Sequence, residues 1–218
     1  MVDGLALTKH KMKTDVNLKL YCNIYFMCET AINLNPENEP DIFNAIKREN
    51  YHRNYIVTGL KEADPEDIIM VSDADEIPNL EKLDLKKIKS KLIFFQQKMF
   101  YYKLDLYLDS FNWFGTKACR KKDLISPQWL RNIKDRGYPF WRIDTLFSKI
   151  KYQDIYFVDN GGWHFSNIKN AEGIEKKLKS YLHHREFDIE PFSVEKIDKI
   201  IREKKPIYDL KVDQRESK

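Results

Sequence analysis

Three carboxylates, Asp73, Asp75 and Glu76, fall within four residues, directly after the apolar run Ile68 to Val71. A short apolar run of this kind makes a fully buried strand, and ligands of open α/β sheets gather at the carboxyl ends of strands. In an extended chain Asp73 and Asp75 point to the same side, about 7 Å apart. Two hard oxygen donors so placed suit Mg²⁺ or Mn²⁺, which keep some waters and take further ligands from substrate phosphates. The ion then neutralises a departing diphosphate; without it the carboxylates repel one another. The competing reading is that Asp73 and Asp75 cap the next element or are simply solvated. The buried strand before them and Glu76-Ile77-Pro78 after them favour the metal. A phospho-aspartate hydrolase also places Asp-x-Asp after a strand, but follows it with Thr or Gly rather than Glu-Ile-Pro-Asn.

The elements that must position these groups read as mixed α/β. An aromatic strand is expected over residues 18–28, then a loop from Asn33 to Pro40. A helix opens at Asp41, with Ile42, Phe43 and Ile46 at helical spacing, and stops at Gly59. Residues 80–90 read as a Lys-rich amphipathic helix. One or two aromatic strands follow over 92–108, and another over 113–119. Ser126-Pro127 starts a short helix, Ile155 to Val158 is a strand running into Asn160-Gly161-Gly162, and 171–187 and 193–204 are helices. No repeat or linker divides the 218 residues, which suit one sizeable core.

Composition narrows the class. The chain is 42% hydrophobic and 33% charged, which excludes disorder as a description of the whole. A net charge of +4, spread along the chain, is too mild for a nucleic-acid footprint. No 18-residue apolar run exists to span a membrane. Cys22, Cys28 and Cys119 have no zinc-ligand spacing and an odd count, so a reducing compartment is expected. The basic start lacks a cleavage-site pattern, and the expected location is cytoplasmic.

Three blocks in order resemble glycosyltransferase family 17, the family of the β-1,4-mannosyl-glycoprotein 4-β-N-acetylglucosaminyltransferases. They are RENYHRNYIVTGL (48–60), DIIMVSDADEIP (67–78), and GGWHFS (161–166) followed by KLKSYLHHREFD (177–188). The similarity covers roughly residues 41–207, after a divergent segment 1–40 and before a polar tail 208–218. The family's opening strands are not found in 1–40, so the chain reads as shortened or diverged there, and 218 residues is tight for a whole enzyme.

The resemblance implies a GT-A type, Rossmann-like mixed sheet flanked by helices in a single domain. It implies a metal-dependent, inverting transferase that uses Mn²⁺ (or Mg²⁺). The donor is a nucleotide-sugar, a UDP-sugar above all and N-acetylglucosamine as its sugar, and the acceptor is a glycan or glycolipid. Asp75 then binds the metal directly, and Asp73 contacts the metal shell or the donor. His164 is either a further ligand or a structural histidine beside the Gly-Gly turn. Arg48 and Arg53 are candidates for the donor phosphates, Arg53 with Asn50 or Asn54, because guanidinium matches phosphate geometry; a solvated helix face explains them nearly as well. Trp163 is either an acceptor platform or core. His183 matches the family's single histidine in that block. Inversion needs a base for the acceptor hydroxyl, for which Asp144, Glu76 and Asp159 are the candidates. The other class of function is a non-catalytic carbohydrate-binding or scaffold remnant that has lost its donor site.

Overall fold

In a computed structural model of the chain, residues 41–83, 88–180 and 192–205 are described. The strand expected over 18–28, the Asn33–Pro40 loop, His183 and the polar tail lie outside them.

The strands form two four-stranded sheets that share a central path. The first has the order β1 (Ile68–Val71), β6 (Lys117–Arg120), β3 (Leu92–Phe95) and β7 (Ile155–Val158). The second has the order β2 (Glu76–Pro78), β8 (Gly162–Ser166), β4 (Gln97–Tyr101) and β5 (Tyr107–Trp113). β3 pairs parallel with β7 and β4 with β8, and the other pairings are antiparallel. β3 runs into β4 through the single residue Gln96, whose backbone bonds Val158 and Gly161. The parallel and antiparallel strands with flanking helices make the mixed α/β domain expected.

The core follows from the alternation. Leu92 and Phe94 face α2 (Pro127–Asn132), whose Leu130 is buried with Ile133 just beyond it. Ile93, Phe95 and Val158 face the opposite side and pack with Ile88 and Leu80. In the second sheet Met99 and Tyr101 pack beneath α3 (Ala171–Ser180) and α4 (Val194–Arg202), through Ile174, Leu178 and Ile197. Ser126 caps α2 by accepting from Trp129 N, with Pro127 in the first turn, and Ser193 caps α4 in the same way.

One expectation is corrected. Residues 80–90 are not one helix: a 3-10 turn covers Leu80–Lys82, Leu83 is extended, and 88–90 are irregular. Leu80, Leu83 and Ile88 pack on the sheet, so tertiary burial overrides the helical periodicity. β2 carries no sequence signal of its own, because its three residues are held by pairing with β8. The first helix behaves as read: α1 (Asp41–Tyr55) tightens into a 3-10 turn over Ile56–Leu60.

The path from β1 to β2 is the feature that makes the site. β1 lies on one edge, beyond β6, and β2 on the opposite edge, beyond β8, yet only residues 72–75 separate them. On a flat sheet those positions would be four strand spacings apart, roughly 19 Å. A segment of this length that also turns cannot reach that far. The sheet therefore rolls, and its two edges come together across Ser72–Asp75. Glu76, the first residue of β2, accordingly touches Trp113 at the end of β5.

Lys117 is buried beneath this junction. Its ammonium donates to the carbonyls of Arg131 and Ile133 at the end of α2 and lies 4.6 Å from the Phe94 ring centre. Burial pushes its pKa down to about 8. Between about pH 8 and the ordinary lysine value the unfolded chain holds a proton that the folded chain has released. The Lys117 contribution to stability therefore rises with pH through that window and is lost as pH falls through 8. Urea unfolding of wild type and Lys117→Met at pH 7 and pH 10 checks this. The wild-type-minus-variant stability is expected to rise by about 1.4 kcal/mol for each pH unit inside the window.

Candidate active site in the rolled sheet

The acidic segment is a turn rather than an extended strand: Glu76 N donates to Asp73 O at 3.0 Å. The side-by-side placing of Asp73 and Asp75 expected from an extended chain is therefore replaced by a split, in which each carboxylate has its own partners. A polar chain beneath holds the turn. Ser72 Oγ donates to Glu76 O at 2.9 Å and shares a 2.7 Å bond with Thr116 Oγ1, which also accepts from Gln97 Nε2 at 3.0 Å.

Asp73 lies between two guanidiniums. Oδ1 is 3.2 Å from Arg53 Nη2, and Oδ2 is 2.7 Å from Arg131 Nη2. Arg53 comes from α1 and is also held by Glu49, at 2.8 Å, and by Gln128 of α2, at 2.6 Å. Asn54 accepts from the backbone of Gln128, so the same two helices are tied twice. Arg48 lies five residues before Arg53 on α1, and the described side chains do not include it.

Glu76 is buried, and every acceptor direction of its carboxylate is used. Oε1 accepts from Trp113 Nε1 at 2.9 Å and Arg131 Nη2 at 3.0 Å; Oε2 accepts from Asp73 N at 2.9 Å and Arg131 Nη1 at 2.8 Å. Arg131 also donates to Gly115 O. A Cβ on residue 115 would overlap both Glu76 Oε1 and Trp113 Nε1, so this close approach requires glycine. Gly162 is required at the start of β8, where φ is +135° and a Cβ would strike Ile77 O.

Asp75 stands apart, with 40% of its side chain exposed and no guanidinium beside it. Its Oδ2 is 3.5 Å from His164 Nε2. Burial works against its charge, but the His164 imidazole, helped by the Asp75 backbone amide and the Lys177 ammonium, outweighs that effect, and the carboxyl titrates below the usual aspartate range. His164 is buried on β8 and stacks on Trp113, ring centres 4.7 Å apart; its Nδ1 has no hydrogen-bond partner among the described residues. Among the described residues no three His, Cys, Asp or Glu side chains converge as a metal centre.

The remaining candidates lie elsewhere. Trp163 alternates with His164 on β8 and so faces the other side of the sheet, half-exposed and paired in register with Ile77 and Lys98. Asp144 sits on an exposed 3-10 turn, Ile143–Phe147, clamped by Arg142 at 2.7 Å and Lys151 at 3.0 Å. Those two cations hold its carboxyl well below the usual range. Asp159 is exposed in the turn after β7. Arg131 and Trp113 went unmarked in the sequence, because a lone Arg in PQWLRN and a lone Trp carry no local signal of what they meet.

The family model for glycosyltransferase family 17 matches residues 20–214, reaching some twenty residues further upstream than the three blocks suggested. No curated protein and no solved structure matches the chain. No helix among the described residues is long and apolar enough to cross a membrane. An acidic turn at a strand end, flanked by two arginines and carried on the family's most specific block, agrees with that match over nearly the whole chain: the protein is a glycosyltransferase and belongs to family 17.

Proposed function

We propose that the chain transfers a sugar with inversion from a UDP-sugar to a glycan or glycolipid acceptor in a GT-A type site that uses Mn²⁺ or Mg²⁺. The family resemblance favours N-acetylglucosamine as the sugar. The observation that carries the reading is Asp75: of the three carboxylates in the turn it alone has no guanidinium partner among the described residues, and its Oδ2 stands 3.5 Å from His164 Nε2 with 40% of its side chain exposed. A divalent ion would complete that pair. The donor set suits it: Asp75 Oδ2 and His164 Nε2 face each other, and water and diphosphate oxygens complete the shell. When bound, the ion supplies positive charge that stabilises a departing diphosphate.

The protein's own groups divide the remaining work. Asp75 and His164 are the metal donors. Asp73, with both oxygens turned to arginines, aims Arg53 towards the donor phosphates rather than binding the ion, while Arg131, its four Nη hydrogens taken by Asp73, Glu76 and Gly115, positions the turn. Glu76 is a positioning residue, since a carboxylate accepting four hydrogen bonds has no lone pair left for an acceptor hydroxyl. Asp144, held ionised by its two cations, is a weak base. Neither residue therefore fits the base expected of them. Trp163, on the far face of the sheet, is a platform only for acceptor units remote from Asp75.

Thermal melting with Mn²⁺ and UDP together tests this reading. At a hundred times the dissociation constant, binding stabilises by about 2.7 kcal/mol, a rise of roughly 5–10 °C for a domain of this size. The rise is expected with both ligands present and absent in Asp75→Ala. No rise with any nucleoside diphosphate in Mn²⁺ would leave the non-catalytic reading standing.

A further inference from the structure

The segment after α2 carries its large apolar side chains outward. Phe140 and Phe147 are each 86% exposed, Leu146 76%, and Trp141 and Ile143 about two-thirds. Its polar groups bond one another and the backbone instead. Gln153 Nε2 donates to Thr145 Oγ1 at 2.9 Å and lies within 3.4 Å of the carbonyls of Pro139, Phe140 and Arg142. Thr145 Oγ1 donates to Arg142 O at 2.6 Å, and Asp144 is clamped by Arg142 and Lys151. The base is fixed to α2 and the residues just after it: Trp129 Nε1 donates to Lys149 O, and Lys134 N donates to Ile150 O. The loop is thus preformed, and its order serves to hold five large apolar side chains in water. Exposed apolar clusters of this kind mark interaction sites.

Charge says what covers it. Residues 134–151 hold Lys134, Arg136, Arg142, Lys149 and Lys151 against Asp135 and Asp144, a net +3 of the chain's +4. A second copy of the loop would bring like charges together. Side chains this exposed stand off the surface rather than line a groove for a peptide. Aromatic tips among lysines and arginines suit the headgroup boundary of a bilayer, where rings bury and cations meet anionic lipid. We propose that residues 138–147 dock the enzyme on an anionic phospholipid surface. Because the loop and Arg131 share α2, docking would hold the transferase site beside acceptors carried on lipid.

Flotation of the full chain with vesicles tests the docking independently of any activity. Binding to phosphatidylcholine vesicles containing phosphatidylglycerol is expected, with weaker binding to phosphatidylcholine alone and weakening by salt. Trp141→Ser/Phe147→Ser is expected to lower it at least about tenfold. Leu104→Ser, an exposed apolar residue elsewhere, is expected to leave it unchanged. No binding, binding indifferent to the anionic lipid, or binding that survives the double substitution overturns the proposal. So does a dimer in solution that the double substitution dissociates, which would assign the loop to a second copy.

Discussion

Asp75→Asn is expected to lower transferase turnover at least about a thousandfold, some 4 kcal/mol of transition-state stabilisation, while melting within a few degrees of wild type. The two effects separate because of where Asp75 stands. Its side chain is 40% exposed, has no guanidinium partner, and lies 3.5 Å from His164, so an isosteric amide leaves the packing alone. What changes is the charge: the amide removes the anionic oxygen donor that the proposed ion would take. Asp73→Asn provides the contrast. It weakens the bridge between Arg53 and Arg131, at 3.2 and 2.7 Å, and is expected to lower stability as well as turnover. Steady-state rates over a Mn²⁺ series, with melting curves for both variants, check the split. Equal turnover for wild type and Asp75→Asn at saturating Mn²⁺ would remove Asp75 from the site.

Arg131→Met is expected to destabilise the fold by about 3–5 kcal/mol, roughly 6–20 °C in melting temperature. The reason lies in Glu76, whose side chain is 1% exposed and which takes two of its four hydrogen bonds from this guanidinium. Methionine fills much of the arginine's volume but leaves a buried carboxylate uncompensated. Glu76→Met/Arg131→Met removes both charges, so the double variant is expected to lose much less than the sum of the singles. Arg131→Lys rescues little, because one ammonium cannot reach Asp73, both Glu76 oxygens and Gly115 O as the planar fork does. Urea unfolding of the four-member cycle measures the coupling. Additive losses would show that Arg131 and Glu76 act independently.

Much of the scaffold is legible in the chain because its causes are local. Ile68–Val71 reads as a buried strand, Ser126-Pro127 as a helix start, and 171–187 as a helix, of which Ala171–Ser180 is described. The acidic triplet is legible as chemistry, but its division of labour is not. Asp73 and Asp75 look alike in sequence; what separates them is a turn and two arginines, one 20 residues before Asp73 and the other 58 after it. Glu76 looks like a free acid until Trp113 and Arg131 occupy it. The Lys-rich stretch 80–90 misleads in the opposite direction, since its apolar spacing serves a sheet contact rather than a helix.

The short passage of chain from one sheet edge to the other also bears on how the molecule comes apart. Residues 72–75 act as a clasp on a rolled ribbon: the edges stay together only while the turn between them stays closed. The groups that close it are Ser72, Asp73 and Glu76 with Thr116, Arg53 and Arg131. Fastening the fold and assembling the proposed centre are therefore one event. A chain that has not closed its roll would lack that centre, and a ligand that gathers the acidic turn would tighten the whole sheet.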